Sequence, residues 1–195
     1  MSEENTKFTA IFLKPDTIND GLAEVIISDL TKLGFKFVYE KPVKLTEGQA
    51  IFIYKDHLNN PDIAFAVASI MRERTCDNSL FLIAKRDEGD ALLRAQEAKG
   101  SADGIGIRAK YRRHDWADLR DRGVEEEERK SLLSRNRIHI PDSDEHACQI
   151  IEMLIGKDEL SELTSSDPEF KSFIEGHRLP RNPEFEGGGN REGRL

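Results

Sequence analysis

Positive charge is in short supply. The chain carries 29 lysines and arginines against 37 aspartates and glutamates, a formal net charge of −8. So acidic a surface disfavours non-specific binding to DNA or RNA, and no nucleic-acid partner is expected. Long apolar runs are missing as well. None approaches the roughly 18 residues that reach across a bilayer. The opening MSEENTK is too acidic and polar for a signal peptide. Only Cys76 and Cys148 could form thiol chemistry, and neither has a partner at metal-ligand spacing. Both read as reduced thiols, which points to a cytoplasmic protein with no membrane partner and no metal site of its own. No internal repeat is found.

What is present suits one polar, soluble domain. The chain has 195 residues, 37% of them hydrophobic and 34% charged, enough for one core with decoration. A polyphosphate ligand would need a local basic cluster, and IRAKYRRH supplies Arg108, Lys110, Arg112 and Arg113 in one short stretch.

The order of elements follows from periodicity. KFTAIFL reads as a buried strand ending at KPD. Leu22, Val25, Ile26, Leu30 and Leu33 share a helical face, with Gly34 placed to stop the helix. FKFVYEKPVKL follows as a strand, then two short helices separated by NNP, and then SLFLIA as a third strand. A helix closed by Gly100 and a fourth strand at NRIHI come next. The last helix opens with Asp142 and Glu145 at capping-box spacing and carries Ala147, Ile150, Ile151 and Leu154 on one stripe. This order predicts an α+β sandwich, a ferredoxin-like antiparallel four-stranded sheet with helices on one face. The domain is expected over residues 1–156, with a charged insertion at about 112–135 that holds a helix from about Glu125 to Leu133. Residues 157–195 are expected to form a polar, partly disordered extension with one short helix at DPEFKSFIEG.

Four residues could carry chemistry. Lys14 ends a buried strand, where an ammonium held at the sheet rim suits a phosphate, although a turn lysine is equally ordinary. Arg108 closes GIGI, whose Gly104 and Gly106 allow a close backbone approach to a ligand, unless this is a plain loop. His139 lies between a strand and a helix, with Asn136 three residues before it. An uncharged imidazole is a competent nucleophile near neutral pH, and lysine and arginine beside it would stabilise a transferring phosphoryl group. The alternative is a histidine on an edge strand.

The set FLKPD, IFIYKDHL, GIRAKY and RNRIH-PDS, in this order, resembles the nucleoside diphosphate kinase family over about residues 7–155. The resemblance implies a nucleoside diphosphate kinase-like fold and an enzyme that moves a γ-phosphoryl group through a phosphohistidine. Lys14 and Arg108 would hold phosphate, Tyr54 would line the site, Asn136 would contact the sugar, and His139 would be phosphorylated. The resemblance further implies a nucleoside triphosphate and a diphosphate-type acceptor as substrates, Mg²⁺ carried on their phosphates, and a homo-oligomer.

The departures from the family pattern are specific. Asp62 stands where the family stacks a nucleobase on phenylalanine, so the acceptor need not be an ordinary nucleoside diphosphate. The second phosphate arginine has no clear match in LLRAQEAKG, where Arg94 or Lys99 could substitute, and Arg112 is a further candidate. The family's threonine after that helix has no counterpart in GSADGIG. Pro141 replaces a serine in the segment after the histidine. Ile150 stands where a glutamate would orient the histidine, leaving Glu145 or a backbone carbonyl to do so. The inserted segment could form a lid, a phosphate contact, an acceptor site or a plain surface hairpin. Two other classes stay open: a nucleotide-binding or regulatory module with little turnover, and a structural protein that uses its tail for assembly.

Overall fold

The computed structural model describes residues 6–55, 71–72, 74–101 and 104–178. Its sheet has four strands, β1 (Phe8–Leu13), β2 (Lys36–Val43), β3 (Ser79–Lys85) and β4 (Ile138–His139), in the order β2-β3-β1-β4 with every neighbouring pair antiparallel. The α+β, ferredoxin-like arrangement expected from the element order is what forms.

Helices cover both faces of the sheet, not one. Along β1, Phe8, Ala10 and Phe12 enter one core cluster while Ile11 and Leu13 enter another. Alternating side chains point to opposite faces of a strand, so a strand buried at every position must be covered on both sides. Helix α2 (Ala23–Lys32) and α4 (Ala91–Lys99) pack on one face through Ile26, Leu30, Ala91 and Ala95. Helix α3 (Glu47–Ile53) and α8 (Asp144–Leu154) pack on the other through Ile53, Ala147, Ile150 and Ile151. The short α1 (Pro15–Asn19) replaces the simple turn expected after KPD. Its Pro15 fits the first helical turn, where no N–H is needed.

The helix ends follow local chemistry. Gly34 adopts φ +90° and its N–H bonds Thr31 O at 2.9 Å, while Phe35 N reaches Leu30 O at 3.2 Å. That closes α2 as the sequence predicts. The cap of α8 is Ser143, not Asp142: its hydroxyl accepts from His146 N at 3.1 Å. Asp142 lies one residue outside the helix and is exposed.

The charged insertion is a helix pair, α6 (Trp116–Asp121) and α7 (Glu126–Ser134), reached through the short α5 (Ile107–Lys110). Asp115 caps α6 by accepting from Ala117 N at 2.9 Å, and the Arg129 guanidinium lies 4.9 Å from the Trp116 ring. Leu119 is buried.

Residues after Gly156 are more ordered than their polarity suggests. Helix α9 (Lys157–Ser166) and α10 (Pro168–His177) follow α8 directly. Phe170, Phe173 and Ile174, spaced three and four apart, enter the core cluster, with Phe170 edge-on to Phe8 at 5.2 Å. Lys85 pairs with both Asp167 and Glu169 at 2.8 Å. The expectation of a mobile end concerns residues 179–195, which lie outside those described.

If α10 is part of the core, Phe170→Ala should lower unfolding stability by about 3 kcal/mol, as for other buried phenylalanines. Urea unfolding of the full chain checks this. A change within about 0.5 kcal/mol, typical of surface substitutions, would mean that α10 merely rests on the sheet.

Candidate active site

His139 ends β4, the edge strand, and its place is fixed by pairing with Phe12 on β1. Only 2% of the residue is exposed. Its ring lies 4.5 Å from that of Tyr54 and 6.2 Å from that of Phe12. Tyr54 follows α3 and is itself buried.

Lys14 leaves the end of β1 beside β4. Its backbone N–H donates to Arg137 O at 2.9 Å, and its ammonium donates to Asn136 Oδ1. The same ammonium stands 5.8 Å from the Tyr54 ring centroid. Arg108 opens out of α5 and donates from Nη2 to Ile138 O at 3.3 Å. Its buried Nε meets no hydrogen-bond partner among the described residues. The five residues singled out in the sequence, Lys14, Tyr54, Arg108, Asn136 and His139, are therefore linked through the end of β4 and the Tyr54 ring.

Arg137 holds this arrangement together. It adopts φ +72°, a left-handed conformation that is unusual for a residue with a side chain. Three residues brace it. Its N–H donates to Asp16 Oδ2 at 3.2 Å, its Nη1 donates to Asp16 O at 2.9 Å and Asp20 Oδ2 at 2.7 Å, and its Nε donates to Tyr111 O at 2.7 Å. Thr17 Oγ1 adds a 2.6 Å bond to Arg137 O. The turn carrying Asn136 and His139 is thereby locked to α1 and to the root of the insertion.

The basic stretch 108–113 does not form one patch. Successive helical residues are about 100° apart, so α5 sends its cations in different directions. Arg108 alone faces β4. Lys110 pairs with Asp29, Arg112 with Asp115 at 2.9 Å, and Arg113 with Asp20 at 3.5 Å. Arg94 also misses the site: it is exposed on α4 and paired with Glu97 at 2.7 Å. Neither Arg94 nor Arg112 joins the cluster.

Two cations reach it from elsewhere. Arg74, 4% exposed, lies with its guanidinium 5.1 Å from the Tyr54 ring. Half-buried Lys99, at the end of α4, acts electrostatically on both Lys14 and Arg108. Lys99 was one of two substitutes considered from sequence. No motif around MRER marks Arg74 in the sequence.

Burial, and after it the crowding of like charge, perturbs Lys14, Arg108 and Lys99. Burial, then the charges of Arg74 and Arg108, hold the Lys14 ammonium well below its usual range, with Asp16 opposing. Burial and then Arg74 bring Arg108 down to about 10. Lys99 is lowered by burial and then by Arg108, and burial pushes Tyr54 up. Cations forced together out of water create a strong local preference for an anion.

The glycines of GIGI have another use than the one expected. A Cβ on Gly106 would fall 2.7 Å from Ala98 O, and one on Gly100 only 1.8 Å from Ile105 O. Their close approach is to each other's backbone, folding the loop onto the end of α4. The candidate orienting glutamates are engaged elsewhere. Glu145 is exposed, its carboxyl held low by hydrogen bonds from its own backbone N–H and from Ser143. Glu152 accepts from Arg178 Nε at 2.6 Å, and Ile150 is fully buried. Asp62, the candidate in place of an aromatic base platform, lies outside the described residues. The hollow on the insertion is lined by Glu125, Glu127, Glu128, Ser131, Leu132 and Arg135, an acidic setting that would repel phosphate.

Comparison with known proteins agrees with the fold. The family model described as nucleoside diphosphate kinase matches residues 7–160. No curated protein matches by sequence. Among solved structures, the nucleoside diphosphate kinase of Aquifex aeolicus is similar at 21% identity and a TM-score of 0.59, covering 78% of this chain and 97% of that one. The enzyme from Borrelia burgdorferi, captured with vanadate and ADP as a transition-state mimic, has 18% identity, a TM-score of 0.61 and coverage of 78% and 89%. That of Halobacterium salinarum, in complex with CDP, has 21% identity, a TM-score of 0.60 and coverage of 79% and 90%.

The depressed Lys14 predicts a specific pH response. Between its folded value and about 10.4 the unfolded chain binds the extra proton, so unliganded stability should rise with pH in that window. Lys14→Met should flatten the rise. Above about pH 10 the raised Tyr54 acts in the opposite sense, so the comparison belongs below it. An identical slope in both proteins, read by thermal unfolding, would contradict the assignment.

Proposed function

The chain belongs to the nucleoside diphosphate kinase family, and from that premise we propose that it moves the γ-phosphoryl group of a nucleoside triphosphate through a phosphohistidine at His139 to a nucleoside diphosphate or related acceptor. The observation that carries this reading is the meeting of His139 with Lys14 and Arg108 around Tyr54, where buried cations favour a bound polyanion.

A ring nitrogen of His139 attacks the γ-phosphorus, the P–N bond forms, and the bond to the β-phosphate oxygen breaks to release the diphosphate. A terminal phosphate oxygen of the acceptor then attacks the same phosphorus and restores the imidazole. Lys14 and Arg108 neutralise charge on the phosphate oxygens as it redistributes. Asn136, bonded to Lys14 without a ligand, would contact the sugar, and Tyr54 would wall the site. The pairing of β4 with β1 and the bracing of Arg137 keep His139 in place without a ligand, so little ordering is required at the moment of transfer.

A divalent metal would enter on the nucleotide phosphates. Among the described residues no three His, Cys, Asp or Glu side chains gather as a metal-ligating group. The residues present suit a metal carried by the substrate, and Mg²⁺ in that position would neutralise phosphate charge. The reading extends to a cytoplasmic homo-oligomer; among the described residues no helix is long and apolar enough to cross a membrane. Light scattering of the purified chain tests the assembly.

A second reading, a nucleotide-binding module with little turnover, is favoured by the deep burial of His139 and by Ile150 in place of a glutamate. Incubation with γ-labelled ATP and Mg²⁺ separates the two. The kinase reading expects acid-labile, base-stable label on His139 that chases onto added diphosphate and is absent in His139→Ala. Nucleotide binding without label favours the module. Arg108→Gln should reduce the rate of phosphorylation by about a hundredfold, as for loss of a transition-state donor, and a rate within about twofold of the parent would count against its role.

A further inference from the structure

We propose that Arg137 is a positioning residue for phosphoryl transfer: its guanidinium, tied to α1 and to the root of the insertion, sets where His139 stands relative to the phosphate-facing cations. The inference rests on the phosphohistidine reading above. It begins from an unusual turn. Ile138 N–H donates to Asn136 O at 2.8 Å across Arg137, whose φ is +72°. A three-residue turn of this hand is rare and strained. It separates the two residues that the reaction needs: Asn136 accepts from the Lys14 ammonium, while His139 returns to pair with Phe12 on β1.

The backbone shape alone does not call for arginine. Glycine adopts this φ without the penalty that a side chain brings. Arg137 is instead 3% exposed, and its guanidinium donates to Asp16 O at 2.9 Å, to Asp20 Oδ2 at 2.7 Å and to Tyr111 O at 2.7 Å. Those acceptors are anchored in turn. The Tyr111 hydroxyl donates to Asp29 Oδ2 on α2 at 2.7 Å, and Asp20 also faces Arg113 of the insertion at 3.5 Å. Among the described residues the guanidinium bonds neither Lys14 nor His139, and its charge is matched by Asp16 and Asp20. It therefore acts through the turn and not as another phosphate contact. A nucleophile displaced by about 1 Å loses on the order of a hundredfold in rate, while contacts to the rest of the ligand stay in place. Loss of Arg137 should register in the rate of transfer more than in affinity.

The test uses the full chain with Arg137→Gly, Asp20→Ala and Phe170→Ala. The first keeps the turn accessible and removes its brace. The second, at an exposed residue, removes one bond and leaves the arginine. The third lowers stability from α10, outside the turn. Two quantities are measured below the melting temperature of each protein: the rate of acid-labile labelling of His139 at saturating γ-labelled MgATP, and the affinity for MgADP by calorimetry. Arg137→Gly should slow labelling by about a hundredfold and Asp20→Ala by about tenfold, with affinity in both within about threefold of the parent. Phe170→Ala should label at the parent's rate. Labelling of Arg137→Gly within about threefold of the parent overturns the assignment. So does an equal loss of rate and affinity, which marks general loosening of the site, or a Phe170→Ala rate as slow as that of Arg137→Gly. Should Arg137→Gly not fold, Asp20→Ala decides, and a parent-like rate there overturns the assignment. A parent that takes up no label removes the phosphohistidine reading and this inference with it, whereas equal labelling of parent and Arg137→Gly removes the inference alone.

Discussion

Like charges held close together out of water set the terms for this molecule. Lys14 and Arg74 are buried and Arg108 partly buried near one tyrosine and one histidine, and burial, then the charge of Arg74, lowers the proton affinity of both Lys14 and Arg108. Such a cluster opposes folding, because each ion gives up hydration and meets repulsion in return. The rest of the fold must overcome that opposition. A sheet covered on both faces, with β1 fully buried and the aliphatic side chains of α8 and the aromatic rings of α10 beneath it, supplies the stabilisation.

The second constraint is the short edge strand. β4 contributes only two residues to the sheet, yet these fix the histidine. So brief a strand could not hold an unusual backbone turn unaided. Arg137 does so by bonding α1 and the carbonyl of Tyr111, drawing Lys14, Asn136 and the start of the insertion to one point. The inserted helix pair therefore leaves from and returns to the edge of the site. Its own hollow is acidic, a poor setting for phosphate.

What could be read from the sequence was what is encoded locally. Lys14, Asn136 and His139 stand at strand ends marked by short motifs, and the strand order follows from apolar runs and turns. Arg74 has no such mark, because only long-range packing brings it to Tyr54. Arg94 and Arg112 misled because linear proximity of cations says nothing about which helical face they occupy; both pair with nearby carboxylates instead. The residues after Gly156 were judged by their overall polarity. Their apolar side chains, Phe170, Phe173 and Ile174, have helical spacing and were the better guide. Helices on both faces were likewise implied by FTAIFL, whose six residues are all buried.

The central claim is that the unliganded site weakens the hold of Lys14 on its proton until phosphate arrives. It is tested most directly by counting protons taken up when MgADP binds, using calorimetry in buffers of different ionisation enthalpy at several values from about pH 7 to about pH 10. Phosphate oxygens beside Lys14 should restore its affinity for a proton, so the account predicts net uptake that rises with pH through this range and is lost in Lys14→Met. Binding with no uptake at any of these values would contradict it, since Lys14 would then carry its full charge before the nucleotide arrived.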